Sequence, residues 1–217
     1  STIRVAGGYC DINSGCNWNG SSYPVATFGS HTLTSQSPYG NAFVAAVNQS
    51  GDWDWASKIY TNSLGKSFDV TVDPSGTSYV VGHMSGNGDS ACGNYLSGSH
   101  GAALFIAKFD SSGTCIWTKR AGNTAQGNGP WDPDIPSDIL MDDEGNIVVS
   151  GKLISTGSFG AITTPTNGSD DAFLAKISPS GTWNFATTVG SSGDDMATGM
   201  EIDDAGNIFL TGYYSGS

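Results

Sequence analysis

Positive charge, long apolar runs and helix-forming residues are what this sequence has least of. Lys and Arg together number 8 in 217 residues, against 20 Asp and Glu, so the formal net charge is −12. A chain without a basic cluster has no electrostatic footprint for phosphate backbones or anionic lipid. We therefore expect neither nucleic acid nor a membrane surface among its partners.

The apolar runs are also short. They have the length of strands, so we expect no insertion into a membrane. Charged residues make up 13% of the chain while Gly numbers 31, and the polar character comes from Ser, Thr, Asn and Gly. This composition disfavours helices and is typical of short strands joined by tight turns. The sequence predicts an all-β fold.

An internal repeat organises the chain. One set of matching segments is AFVAAVNQSGDWDWASKI from Ala42, LFIAKFDSSGTCIWTKRAG from Leu104 and AFLAKISPSGTWNFATTVG from Ala172. A second set is FDVTVDPSGTSYVVG from Phe68, DILMDDEGNIVVSG from Asp138 and GMEIDDAGNIFLTG from Gly199. The opening residues IRVAG match only the end of the second set, so the array begins inside a repeat.

Each segment has the pattern of a β-hairpin, with Asp, Asn or Ser early in the turn and Gly late. Two hairpins make four strands per repeat, which in the first copy are roughly Ala42 to Val47, Trp53 to Ile59, Phe68 to Val72 and Ser78 to Met84. Repeated four-stranded antiparallel sheets that are apolar on both faces are what stacked propeller blades require. A β-sandwich is the alternative, but it gives no reason for the copies to resemble one another.

We therefore predict a β-propeller-type array of four-stranded blades that occupies residues 1–217 as a single unit. A partial blade covers about 1–27, and the repeats cover about 28–86, 87–158 and 159–217. The array amounts to three repeats plus one extra strand.

The block AFLAKISPSGTWNFATTVGSSGDDMATGMEIDDAGNIFLTGYYSGS resembles the bacterial β-propeller repeat often labelled SBBP, as do FGSHTLTS at Phe28 and FGAITT at Phe159. The resemblance extends from about Thr27 onward and is weaker in the second copy, where residues 86–101 replace the FG-containing connector and residues 125–136 lengthen a loop. Residues 8–24 are also unlike the repeat. The resemblance implies a secreted or cell-surface protein; it implies no reaction.

The four Cys residues lie mainly in irregular segments. Cys10 and Cys16 flank a short loop, Cys92 lies in the atypical second connector, and Cys115 replaces the Trp found at matching positions 53 and 183. Zinc would favour CxxC pairs with His nearby, and that spacing is absent. From proximity in the repeat we expect the disulfides Cys10–Cys16 and Cys92–Cys115, which imply an oxidising, extracytoplasmic compartment.

Acidic residues suggest calcium at two kinds of place. The turns beginning at Asp73, Asp142 and Asp203 lack the carboxylate spacing of an EF-hand, and an Asp that accepts backbone hydrogen bonds within its turn accounts for them. The inserted loop is the better candidate for calcium, through Trp131, Asp132, Asp134 and Asp138. The alternative there is a solvated loop, and we predict no metal or other cofactor.

The sequence contains no mark of catalysis. His31, His83 and His100 occupy non-equivalent places in the repeat, and no GxSxG motif marks a nucleophile. Four Trp residues recur at matching positions and are expected in the core or on blade faces: Trp53, Trp55, Trp117 and Trp183. The two in irregular loops, Trp18 and Trp131, are the candidates for stacking on sugar rings.

We expect a non-catalytic, extracellular or cell-surface repeat protein with a structural, adhesive or assembly role. The first alternative is a lectin-like propeller that binds surface glycans through Trp18 and Trp131, and the second is a propeller-fold hydrolase or lyase.

The blade count predicts that the array needs partners. An unclosed stack of blades leaves apolar faces and strand edges exposed. We therefore expect these residues to belong to a processed chain or a longer polypeptide whose further repeats complete the ring. Self-assembly of identical chains and a flatter, unclosed array are the alternatives. The opening strand Ile3 to Gly7 is expected to pair with strands from outside the segment.

Overall fold

The computed structural model describes residues 2–9, 23–35, 37, 40–60, 65–84, 88–89, 92, 95–96, 103–123 and 134–216. In chain order the strands are β1 (Ile3–Tyr9), β2 (Val25–Phe28), β3 (His31–Thr34), β4 (Asn41–Val47), β5 (Trp53–Ile59), β6 (Gly65–Val72), β7 (Ser78–Met84), β8 (Gly88–Asp89), β9 (Tyr95–Leu96), β10 (Ala103–Phe109), β11 (Cys115–Asn123), β12 (Ile135–Met141), β13 (Ile147–Leu153), β14 (Gly157–Phe159), β15 (Ile162–Thr164), β16 (Asp171–Ile177), β17 (Trp183–Val189), β18 (Met196–Ile202) and β19 (Ile208–Tyr213). The described chain is all-β, as its composition predicts, and includes no helix that is long and apolar enough to span a membrane.

The longer strands form antiparallel sheets that we call the first, second, third and last blade. Their strand orders are β1-β4-β5, β6-β7-β10-β11, β12-β13-β16-β17 and β18-β19. The second and third blades have the predicted four strands each. The first blade lacks a strand beside β1, and the last blade has only its first two strands within the described residues.

The assignment of strands to blades differs from the sequence-based one. We expected β4 to β7 in a single sheet, but β7 pairs with β10 along its length, from Ser78 opposite Phe109 to Met84 opposite Ala103. Each blade therefore combines the second hairpin of one repeat with the first hairpin of the next. A sequence period defines the length of a repeat but not the point at which one sheet ends and the next begins.

The opening strand is also a correction. It pairs within the chain, from Ile3 opposite Val47 to Tyr9 opposite Asn41, and not with strands from outside. The expectation was wrong because the boundary of the sequence repeat was taken as the boundary of the blade. That choice placed β4 in a blade with β6 and β7 and left β1 without a partner inside the chain.

The hairpin turns repeat one hydrogen-bonding scheme. In the turn after β6, the N–H of Gly76 donates to the Asp73 carbonyl at 2.9 Å, and the N–H of Asp73 donates to the Thr77 carbonyl at 2.9 Å. Gly76 has a φ of 86°, a conformation that glycine adopts without a steric penalty. The Asp73 carboxylate accepts the N–H groups of Ser75 and Thr77 at 2.9 and 2.8 Å. The acidic turns at Asp142 and Asp203 do the same, so the prediction of structural turns is confirmed.

Two apolar cores lie between consecutive blades. One includes Val44 and Ile59 of the first blade with Val80 and Phe105 of the second. The other includes Leu104 of the second blade with Phe173 and other residues of the third. Apolar side chains on both faces of a blade are thus buried against both neighbours, which is the arrangement that the sequence pattern predicts.

The recurring Trp residues bind neighbouring elements together. The indole N–H of Trp55 donates to the Ser111 carbonyl of the second blade at 2.9 Å. In the same way Trp117 of the second blade donates to the Pro179 carbonyl of the third at 3.2 Å. Trp55 is buried and Trp117 packs against the core between the second and third blades, so both are blade-face residues as predicted.

Short connector hairpins attach to the blades through an aromatic contact. Phe28 at the end of β2 packs edge-on against Trp53, with ring centroids 5.0 Å apart. Phe159 at the end of β14 packs edge-on against Trp183 at 4.9 Å. β14 also pairs with β11, so the β14–β15 connector joins the second and third blades.

The second blade uses a covalent bond at the corresponding place. Cys115, which occupies the position of Trp53 and Trp183, forms a disulfide with Cys92 of the connector. This is the pairing expected from the sequence. Cys10 and Cys16 lie outside the described residues.

Candidate interaction site

Carboxylates join the first strands of neighbouring blades, which are β6, β12 and β18. The Asp69 carboxylate on β6 accepts the N–H of Ile139 on β12 at 3.2 Å, and Asp138 on β12 accepts the N–H of Met200 on β18 at 2.8 Å. Burial is the largest cause of a pKa of Asp69 above its usual value, and the nearby Asp138 raises it further. At the equivalent position of β18 stands Gly199, so the last blade carries no such carboxylate.

A second pair of carboxylates lies just before β12 and β18 and binds the residues that follow the next strand of the same blade. Asp134 is fully buried and accepts the N–H of Ile154 at 3.0 Å. Asp195, its equivalent, is also buried and accepts the N–H of Ser215 at 3.0 Å. A further N–H, that of Ser191, is the largest cause of a pKa of Asp195 below its usual value. These acidic side chains stabilise the fold by accepting buried backbone donors.

These contacts bear on the calcium prediction. Asp134 and Asp138 are each engaged with backbone N–H groups of different elements, and Trp131 and Asp132 lie outside the described residues. Among the residues that the structure describes, no group of three or more His, Cys, Asp or Glu side chains is arranged to hold a metal ion.

The two histidines within the described residues, His31 and His83, lie on different strands, β3 and β7. The Nε2 atom of His31 lies 3.1 Å from the Trp53 carbonyl, where it helps to hold β3 to the first blade. His83 is buried on β7 beside the ring of Phe68, and its two ring nitrogens have no hydrogen-bond partner. His100 lies outside the described residues, as do the candidate sugar-binding residues Trp18 and Trp131.

Exposed apolar residues lie on the last blade and on the strand of the third blade that faces it. β7 and β13 are buried along nearly their whole length, but β19 is mostly exposed, including Phe209 and Tyr213. The same contrast holds at matching positions of β5, β11 and β17. Ile59 and Ala121 are 0% and 4% exposed, whereas Val189 is 62% exposed. β19 pairs with β18 alone in the described part of the chain, so its other edge is open.

A groove of about 360 Å³ lies between this open edge and the third blade. Its apolar lining includes Ala172 and Val189 of the third blade and Leu210 and Tyr213 of β19. Gly212, also on β19, lines the groove as well. A concave apolar surface beside an open strand edge can bind an extended segment through backbone hydrogen bonds and side-chain pockets. The sequence predicts exposed strand edges but not the position of this groove, because the groove depends on which strands share the last blade.

No protein-family model matches the chain. An uncharacterized WD repeat-containing protein of Acanthamoeba polyphaga mimivirus is 24% identical to it over 192 residues, in an alignment that covers 75% of this chain and 13% of the relative. The chain thus spans a small part of the relative that it matches. WD repeats are blades of β-propellers. The antiparallel sheets and this likeness together support one fold class, an all-β array of propeller-type blades.

Proposed function

We propose that this chain is a non-catalytic propeller-type repeat unit that assembles with other polypeptide segments through its incomplete last blade. The observation that carries the proposal is the open edge of β19 beside the apolar groove. Monomeric proteins rarely leave a strand edge and a contiguous apolar surface uncovered, because such surfaces associate. The name of the WD repeat relative describes a repeat architecture and is consistent with this role.

The place in which the protein works is part of the proposal. The resemblance to SBBP-type repeats and the Cys92–Cys115 disulfide both favour a secreted or cell-surface protein, because disulfides persist in oxidising compartments. We extend the proposal to an adhesive or structural role at the cell surface. Thiol counting on the denatured, unreduced protein should find no free thiol, and four reactive thiols would argue against this location.

Light scattering over a roughly hundredfold range of concentration tests the assembly role. We expect the wild-type chain to associate as its concentration rises, and the double variant Tyr213→Lys, Tyr214→Lys to associate less, because both side chains are largely exposed at the groove. Ile116→Lys is the matched control, since Ile116 is an exposed apolar residue on the outer strand of a complete blade.

Two results would contradict the proposal. One is a homogeneous monomer that unfolds cooperatively and binds no apolar dye at any concentration. The other is turnover of an ester, glycoside or peptide that either His31→Ala or His83→Ala abolishes.

A further inference from the structure

We propose that the groove beside β19 binds a β-hairpin of the same type as β10–β11 and β16–β17, carried by a further repeat on the same polypeptide. This inference rests on the proposed function and names the partner of that site. The bound segment would begin with a small or aliphatic residue followed by Phe, an aliphatic residue, Ala and Lys, as in LFIAK from Leu104 and AFLAK from Ala172.

The last blade leaves open a position that an aromatic ring fills in the other blades. In each of the other blades a Gly on the second strand lies opposite a Phe on the third: Gly7 opposite Phe43, Gly82 opposite Phe105 and Gly151 opposite Phe173. In the first two blades the ring lies close to the glycine: a Cβ at Gly7 would be 2.9 Å from Phe43 Cε1, and one at Gly82 would be 2.5 Å from Phe105 Cε1.

Gly212 occupies the same position on β19. In the described part of the chain β19 pairs with β18 alone, so no Phe lies opposite this glycine. The nearest atoms to a Cβ at Gly212 belong to Met196 and Ala197 of the adjacent strand, and the adjacent strand is likewise nearest at Gly151, which does face Phe173. Close approach of that strand accounts for the glycine, and the register position that Phe fills in the other three blades is open in the last one.

The lining of the groove supports the same partner. In the core between the first two blades, Phe105 packs in a cluster with Ala42, Ile59 and Val80. The residues that match these three in the repeat are Ala172, Val189 and Leu210, and all three line the groove. A Phe on a third strand of the last blade would thus meet the same types of side chain that surround Phe105.

Charge also supports a hairpin of this type. Lys176 on β16 forms an ion pair with Asp142, in the turn between β12 and β13, at 2.9 Å. The turn between β18 and β19 carries Asp203 at the matching position. Hydrogen bonds from Asn207 are the first cause of a pKa of Asp203 below its usual value, so this carboxylate is ionised and can pair with the Lys of the incoming segment.

The pairing of the existing hairpins favours a further repeat over a second copy of the chain. β4, β10 and β16 are each already paired with a second strand of their own blade. A second copy would have to break one of these pairings to supply a hairpin. A further repeat would not, because residues 154–170 show that a connector of this length carries the chain from a second strand to the third. Attachment to the same polypeptide also raises the effective concentration of the hairpin to the millimolar range.

The test is a chain extended by the segment that the groove is proposed to bind. Ser217 matches Thr156 in the repeat, so a second copy of residues 157–189 placed directly after Ser217 reproduces the natural spacing. The matched control carries Phe173→Ala in the appended copy only. Hydrogen exchange of the β19 amides and light scattering are measured for the two extended chains and the wild type.

We expect the appended copy to slow exchange along β19 by at least about tenfold and to abolish concentration-dependent association, and the control copy to do much less of either. Equal protection by both copies would show that no Phe position is involved. Unchanged exchange of the β19 amides together with unchanged association would also overturn the inference. Weaker association of the Tyr213→Lys, Tyr214→Lys variant would still support the proposed assembly role.

A second measurement keeps the inference testable if the extended chain aggregates. A labelled peptide of residues 171–189 is titrated with the wild-type chain, and fluorescence anisotropy reports binding. We expect saturable binding that Phe173→Ala in the peptide weakens about tenfold or more, as loss of a buried aromatic anchor does. Absence of binding by the unmodified peptide, or equal binding by both peptides, would overturn the inference.

Discussion

The connector of the first blade and that of the second do the same task by different chemistry. Phe28 packs on Trp53 in the first, and the third blade repeats this contact with Phe159 and Trp183. In the second blade the connector departs from the repeat, and Cys115 replaces the Trp and bonds to Cys92. The difference teaches that each blade needs its connector held against the fourth strand, and that either an apolar contact or a covalent bond suffices.

The largest expected effect comes from removing the aromatic contact where it is most deeply buried. Phe159 is fully buried and also touches Phe173, so Phe159→Ala should lower the free energy of unfolding by about 3–5 kcal/mol. Urea denaturation measures this loss in the free energy of unfolding. Phe209→Ala, at an exposed apolar position, serves as the control and should be nearly neutral. If the two variants are equally stable, the aromatic contact does not hold the connector.

The covalent contact should be somewhat weaker. The bond between Cys92 and Cys115 closes a loop with a sequence separation of 23, so the double variant Cys92→Ala, Cys115→Ala should lose about 2–4 kcal/mol. The same denaturation experiment applies. The predicted Cys10–Cys16 bond would close a shorter loop, so Cys10→Ala, Cys16→Ala is the matched control and should lose less. Wild-type stability of the first double variant would contradict the comparison.

A pH dependence should distinguish the second blade from the third. Burial, followed by the charge of Lys66, lowers the pKa of His83 to about 4. The unfolded chain therefore binds the proton first, and stability falls as the pH drops from about 6.5 toward 4, by roughly 2–3 kcal/mol in total. The third blade has no histidine at the equivalent position, where Lys152 is paired with Asp170.

The variant His83→Leu tests whether His83 causes this pH dependence of stability. Its stability should be flatter than that of the wild type over the same pH interval, in denaturation curves recorded at several pH values. An unchanged pH dependence in His83→Leu would exclude His83 as the cause.

The smallest effect is expected at a turn. Burial raises the pKa of Asp73, but hydrogen bonds from Ser75 and Thr77 outweigh it and leave the pKa below its usual value. The stability that these bonds add is present above about pH 4 and is lost as the pH falls through the lowered pKa. At pH 7, Asp73→Ala should cost about 0.5–1 kcal/mol.

Asp73→Ser should cost less, because Ser178 in an equivalent turn accepts the N–H of Thr182 at 3.1 Å. Thermal denaturation of both variants makes the comparison. Equal losses would show that the side-chain acceptor at this position is unimportant.

The fold class could be predicted from local pattern because hairpins are local. Asp73 and Gly76 mark a turn whose hydrogen bonds lie within five residues of chain, and apolar residues alternate on the strands beside it. The candidate site could not be located in this way. Val189 and Ile59 belong to matching segments with the same pattern, yet one is exposed and the other buried, because burial depends on whether a further blade covers the strand.

The sequence by itself determined the hairpins, the positions of their turns, the repeat and the pairing of Cys92 with Cys115, since each follows from spacing or local hydrogen bonding. The tertiary structure alone decided which hairpins share a sheet. It joined β7 to β10 and β1 to β4, and it left β19 with an open edge. The physical reason is that every second strand and every third strand of the repeat are chemically alike, so that only their packing in space selects the partner.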